Sequence, residues 1–269
     1  MKYFLFLGLT GILILNGCSQ GSEANKNENR IMLSFDAGKS KPVKMRYDFT
    51  VNALTTGNRT HFAMELSGEA ETRDKDNIEI ELRNDKITMD GLIGGKQMSF
   101  TAGTKDSVPN DVAMVLTPVF SLLNRKFKSS YDSRMHRNSE VMLTDDGVDS
   151  SENKMQFFVR YPDSTVAVGD SWERELIIKS NNKMNCSAKY TLKEVKDGKA
   201  TITMSGKLTG KGESFGHEFT IDGSLSGTIL SDVKNGWPLD TDIKEEFILD
   251  LSGQKIKMEY LIKHTVDLQ

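Results

Sequence analysis

Residues 43–51 read VKMRYDFTV. Val43, Met45, Tyr47, Phe49 and Val51 alternate without a break with Lys44, Arg46, Asp48 and Thr50. A period of two puts successive side chains on opposite faces of a strand, so this strand has one apolar face and one wet face. The alternation returns in NIEIELR (77–83), DKITMDG (85–91), KMQFFVRY (154–161), SAKYTLKEV (187–195), KATITMSGKL (199–208), HEFTIDGSLSGTIL (217–230) and QKIKMEYLIKHTV (254–266). Turn clusters such as DAGKSKP (36–42), VKDGKA (195–200), SDVKNGWP (231–238) and LSGQ (251–254) separate these runs. Many one-sided strands with short connections make antiparallel meanders. The alternating helices of a βαβ fold are missing.

One segment breaks the pattern. PNDVAMVLTPVFSLLNRKF (109–127) opens on Pro109, Asn110 and Asp111, a helix start, and then carries apolar residues on nearly every side. Pro118 would kink it or split it. The reading is a mainly β protein: an antiparallel meander forming a curved sheet or open half-barrel with one buried helical segment, or alternatively a β-sandwich. A polar stretch, 128–153, separates two strand-rich halves, 30–127 and 154–269, without a residue-level repeat. One continuous sheet and two packed sheets are both compatible with these lengths.

The N-terminus is read separately. Lys2 precedes an apolar run from Tyr3 to Leu15, and Gly17 precedes Cys18, the layout of an export signal over residues 1–17. That run is shorter than the ~20 apolar residues a membrane span needs. Residues 18–29 begin with Cys18 and continue SQGSEANKNEN, with no large apolar side chain, as a flexible tether. Residues 30–269 form the β-rich domain. Loss of residues 1–17 would take Lys2 from the 35 basic side chains and none of the 38 acids, moving the formal charge from −3 to −4. No basic run exists to neutralise phosphates, so a nucleic-acid partner is not expected. The chain has two cysteines; if Cys18 is consumed at the N-terminus, Cys186 is left without a disulfide partner.

Chemistry-bearing motifs are sparse. VGDSWE (168–173) carries a GDS triplet, but none of His61, His136, His217 or His264 has an aspartate three residues before it. Ser171 then lacks a base and its orienting carboxylate, and the triplet reads as a turn leading into a strand near Trp172. In GHEF, His217 has Ile221 where a zincin needs its second histidine. TDDGVDSSE gathers Asp145, Asp146, Asp149 and Glu152 without the spacing of a calcium loop and reads as a solvated turn. The charges of RDKDNIEIE and DTDIKEE read as wet strand faces. Two tryptophans make a poor sugar platform. No catalytic residue, metal or cofactor is assigned, and the protein is expected not to be an enzyme. Thirteen methionines provide adaptable apolar surface. Met114, Leu116, Val119, Phe120 and Leu123 are the candidate lining of a cavity between the sheet and its helix, open to an acyl chain or similar greasy ligand.

LNGC (15–18) resembles the bacterial lipobox, with Leu15 as the recognition leucine, Gly17 the small residue and Cys18 the lipidated new N-terminus; Asn16 departs from the usual choice. The resemblance implies a lipid-anchored protein of the cell envelope, held by several acyl chains. Ser19 stands where inner-membrane retention often uses Asp, which favours the outer membrane and leaves the face open. YPDSTVAVGDSWERE (161–175), YTLKEVKDGKATITMSGKLTG (190–210) and GSLSGTILSDVKNGWPLDTDIKEEF (223–247) are similar to a Bacteroidota-type family of β-rich lipoproteins of unknown function. The inferred architecture looks like the lipoprotein-localisation-factor group, in which a curved sheet shelters lipid; this is a likeness of fold. These features imply a non-enzymatic envelope lipoprotein that binds a hydrophobic or lipid-like ligand, in envelope lipid or lipoprotein transport. The alternative is a protein-interaction or structural module with a solid core, an envelope protein as partner and no small-molecule ligand.

Overall fold

A computed structural model describes residues 30–93, 96–103, 123, 125–144, 147–149, 157–179, 183–214 and 217–269. Cys18, Met114, Leu116, Val119 and Phe120 lie outside them, as does nearly all of the segment expected to be helical. Among the described residues every regular element is a strand.

The first half supplies β1 (Lys41–Ala53), β2 (Asn58–Asp74), β3 (Asn77–Ile93), β4 (Lys96–Gly103), β5 (Lys126–Tyr131), β6 (Arg137–Thr144) and β7 (Gly147–Asp149). The second supplies β8 (Ser171–Lys179), β9 (Lys183–Lys196), β10 (Lys199–Ser214), β11 (His217–Asp232), β12 (Pro238–Leu251) and β13 (Gln254–Leu268). All join one sheet in the order β7-β6-β5-β3-β2-β1-β13-β12-β11-β10-β9-β8, with β4 beside β5 on the same edge of β3. The two halves are thus one curved antiparallel sheet, not the two sheets of a sandwich. Its first and last strands pair, from Val43 with Leu268 to Ala53 with Met258. The seam therefore falls in the middle of the chain, between β7 and β8. The described part of the polar stretch after Phe127 carries a hairpin, β5 with β6, that extends the sheet.

Two hairpins turn on the residue types their backbones demand. Asp197-Gly198 and Ser252-Gly253 all have positive φ, between 50° and 96°, the twist that suits a two-residue connection between right-twisted strands. Curvature also needs glycine where strands crowd. A Cβ on Gly68 would lie 1.8 Å from the Glu81 carbonyl oxygen, and one on Gly223 would lie 2.2 Å from that of Glu246.

Two non-strand segments fill one end of the concave face. Residues 31–37 bury Leu33, Phe35 and Ala37; they are tied by Ile31 and Val166, which exchange backbone hydrogen bonds, and by Phe35 N–H to the Ser133 carbonyl at 2.8 Å. Residues 157–161, FFVRY, are buried throughout. They were expected to be a strand and are not one. Being off the ladder, their carbonyls find side-chain donors, as a buried irregular backbone must. Tyr190 Oη donates to Phe158 O at 2.6 Å, Trp172 Nε1 to Arg160 O at 2.7 Å, and Arg160 Nη1 to Phe157 O at 3.1 Å and Val159 O at 2.9 Å. Trp237 packs edge-on to Phe35 with ring centroids 4.9 Å apart. Tyr161 Oη hydrogen-bonds Gly236 O at 2.7 Å and Ser231 Oγ at 3.0 Å.

Candidate functional site

The alternating register sends Tyr47 and Phe49 of β1, Phe62 and Met64 of β2, Met258 and Tyr260 of β13, and Leu249 and Leu251 of β12 to the concave face. Tyr47 borders the crossing segment at Phe157; the others lie further toward the opposite end, and all are half-buried rather than buried. Phe49, Tyr260 and Phe247 form a chain of edge-to-face rings, 5.1 and 4.8 Å between centroids. Such contacts fix the rings and leave their outer surfaces apolar. Leu123, the one expected lining residue among those described, is partly buried beside Phe62, Met89, Met98, Phe100 and Ala102 at this end. The other four lining residues lie outside the described residues.

In the middle of this face stands Glu245. It is 5 % exposed and directly opposite Tyr260 in the β12–β13 register. No hydrogen bond or ion pair reaches its carboxyl among the described residues. Burial alone raises its pKa from the usual carboxylate range to about 7. Its field is felt by Tyr47 of β1, Cys186 of β9 and Tyr260. The KEE run was expected to be a wet strand face, and for Lys244 and Glu246 it is. Glu245 corrects that reading, because it occupies the inward register of Thr241, Ile243 and Phe247. The signal was present: counting by twos from Leu239 lands on it.

Between Tyr47 and Phe157 lies a cavity of about 30 Å³, lined also by Met45, Leu82, Phe127 and His264. This is room for a water or two, not for an acyl chain. His264 is wholly enclosed: its Nε2 is 2.9 Å from Thr241 Oγ1, its ring meets Phe157 edge-on at 5.4 Å, and burial lowers its pKa to about 4. Glu140 and Arg137 form a sheltered ion pair at the cavity wall.

The convex face carries an open concavity of about 560 Å³ beside Asp48, Thr50, Arg59, His61, Asp90 and Lys263. His61 Nε2 stands 3.2 Å from Asp48 Oδ1, so the fold supplies a carboxylate that sequence spacing did not show, but among the described residues no hydroxyl is hydrogen-bonded to that imidazole. Ser171 is elsewhere: it opens β8, pairs with Thr191 Oγ1 at 2.8 Å, and follows the turn at Gly169. Trp172 next to it stacks on Tyr190. Among the described residues no three His, Cys, Asp or Glu side chains stand close enough to hold a metal ion. No described helix is long and apolar enough to cross a membrane.

Residues 149–238 match a family of unknown function, DUF6263. No curated protein matches the chain. DynF, from the dynemicin biosynthesis pathway of Micromonospora chersina, aligns over 87% of this chain and 83% of its own at 9% identity, with a TM-score of 0.27. The COG4313 outer membrane channel from Pseudomonas putida F1 aligns over 87% and 98% at 7% identity, also with a TM-score of 0.27. Similarity this low carries no argument about fold or function.

Proposed function

We propose that this protein is a non-enzymatic envelope lipoprotein, anchored through Cys18 at the outer membrane, which binds a hydrophobic or lipid-like ligand against the half-buried end of its concave face and serves lipid or lipoprotein transport. The observation that carries the reading is the row of half-buried apolar side chains, Phe49 and Tyr260 at its centre, on a curved face whose other end is filled by the chain itself. Concave apolar surface with a few convergent polar groups is what greasy ligands select, and each Å² covered contributes about 25 cal/mol. The ligand would lie along the trough, because the enclosed cavity of about 30 Å³ is too small to hold it. Native mass spectrometry with organic extraction, on the protein purified from its own envelope, tests this. A near-stoichiometric lipid mass is the expected result; a clean apo mass contradicts it.

A second reading has its own observation. β8 pairs with β9 alone among the described residues, leaving a nine-residue edge on which a partner's strand could add. An apo mass together with a stoichiometric protein partner would move the function there.

A further inference from the structure

The apolar trough accounts for a ligand's chain and leaves Glu245 unexplained. A carboxyl 5 % exposed, with no donor or cation within hydrogen-bonding reach among the described residues, is costly wherever it occurs in an apolar interior. Among the described residues the groups that face it are neutral: Tyr47 from β1, Tyr260 from β13, Cys186 from β9, and across the β11 register Leu225. None supplies a compensating positive charge. On the same face, two residues along β12, Phe247 meets Tyr260 edge-to-face at 4.8 Å. A carboxylate set beside aromatic rings is the chemistry that holds an ammonium group, through ion pairing with the first and attraction to the negative ring faces of the second.

We propose that Glu245 is the anionic partner of an ammonium group carried by a long-chain ligand, with Tyr260 and Phe247 flanking that group while the chain lies along the trough. This rests on the apolar-ligand reading and names the ligand's polar end. Ammonium binding brings the missing positive charge to the carboxylate, whereas a neutral chain of the same length leaves Glu245 as it is.

The test compares decyltrimethylammonium with decanol by isothermal titration calorimetry at pH 8. The ammonium is expected to bind at least tenfold more tightly than the alcohol, and Glu245→Gln to remove that preference. Equal affinity for the two probes, or a preference that survives Glu245→Gln, overturns the inference and leaves the apolar-ligand reading standing; failure of both probes to bind overturns both. Should the variant not fold, carboxyl carbon NMR of the native chain decides. Decyltrimethylammonium is expected to lower the midpoint of the Glu245 titration and decanol to leave it; an unmoved midpoint overturns the inference.

Discussion

The two ends of the concave face are built from the same alternating strands and are finished differently. At one end residues 31–37 and 157–161 cross the sheet and close it, so that Leu33, Phe35, Tyr161 and Trp237 are each at most 1 % exposed. At the other, Phe49, Phe62, Met258 and Tyr260 have the same inward orientation and are only partly buried. The difference teaches that the sheet alone does not determine how its apolar face is buried. Irregular chain does, and it needs hydrogen bonds that the ladder does not provide.

The largest effect expected from this contrast is in side-chain truncation. Trp237→Ala removes the ring packed against Phe35 and Phe157 and is expected to cost about 4 kcal/mol, whereas Phe49→Ala at the half-buried end costs about 1 kcal/mol. Equal losses in denaturant unfolding would erase the distinction between the ends.

A pH series sharpens it next. Glu245, with its pKa raised to about 7, holds its proton in the folded state after the unfolded chain has released it, so stability falls as pH rises from about 4.5 to about 7. His264, lowered to about 4, refuses a proton that the unfolded chain accepts, so stability rises over pH from about 4 to about 6.5. The two slopes oppose each other between about pH 4.5 and 6.5. Glu245→Gln removes one, and its stability is expected to climb through that window by ~1.4 kcal/mol per pH unit relative to the native protein, ending about 3 kcal/mol ahead above pH 7. Parallel curves would mean that Glu245 is not buried as described.

The smallest effect is a hydroxyl. Tyr161→Phe keeps the ring but strips Gly236 O and Ser231 of their partner, an expected loss of about 1–2 kcal/mol in thermal unfolding. No loss would show that water replaces the hydroxyl, and that the filled end is looser than its burial implies.

Most strands were legible because half-buried antiparallel strands write their two faces into the chain, as VKMRYDFTV does. Register between distant strands is not a local property, so the pairing of β1 with β13, which makes one sheet of two halves, was not legible. FFVRY was read as part of an alternating run, KMQFFVRY, yet it is buried throughout; uniform burial is what a crossing segment shares with a central strand, and only its side-chain donors, Tyr190 and Trp172, tell them apart. Glu245 was hidden by its neighbours: in KEE the charges look alike, and only the count along β12 separates the inward one. His264 was hidden the same way, following Ile262 on the inward register of β13.

The central claim is that ligand contacts the half-buried end of the concave face and not the filled one. An alkyl probe bearing a photoreactive diazirine, irradiated with the native protein and mapped by peptide mass spectrometry, tests it most directly. Adducts are predicted on β1, β12 and β13 around Phe49, Phe247 and Tyr260. Adducts confined to the convex face, or to residues 31–37 and 157–161, would contradict it.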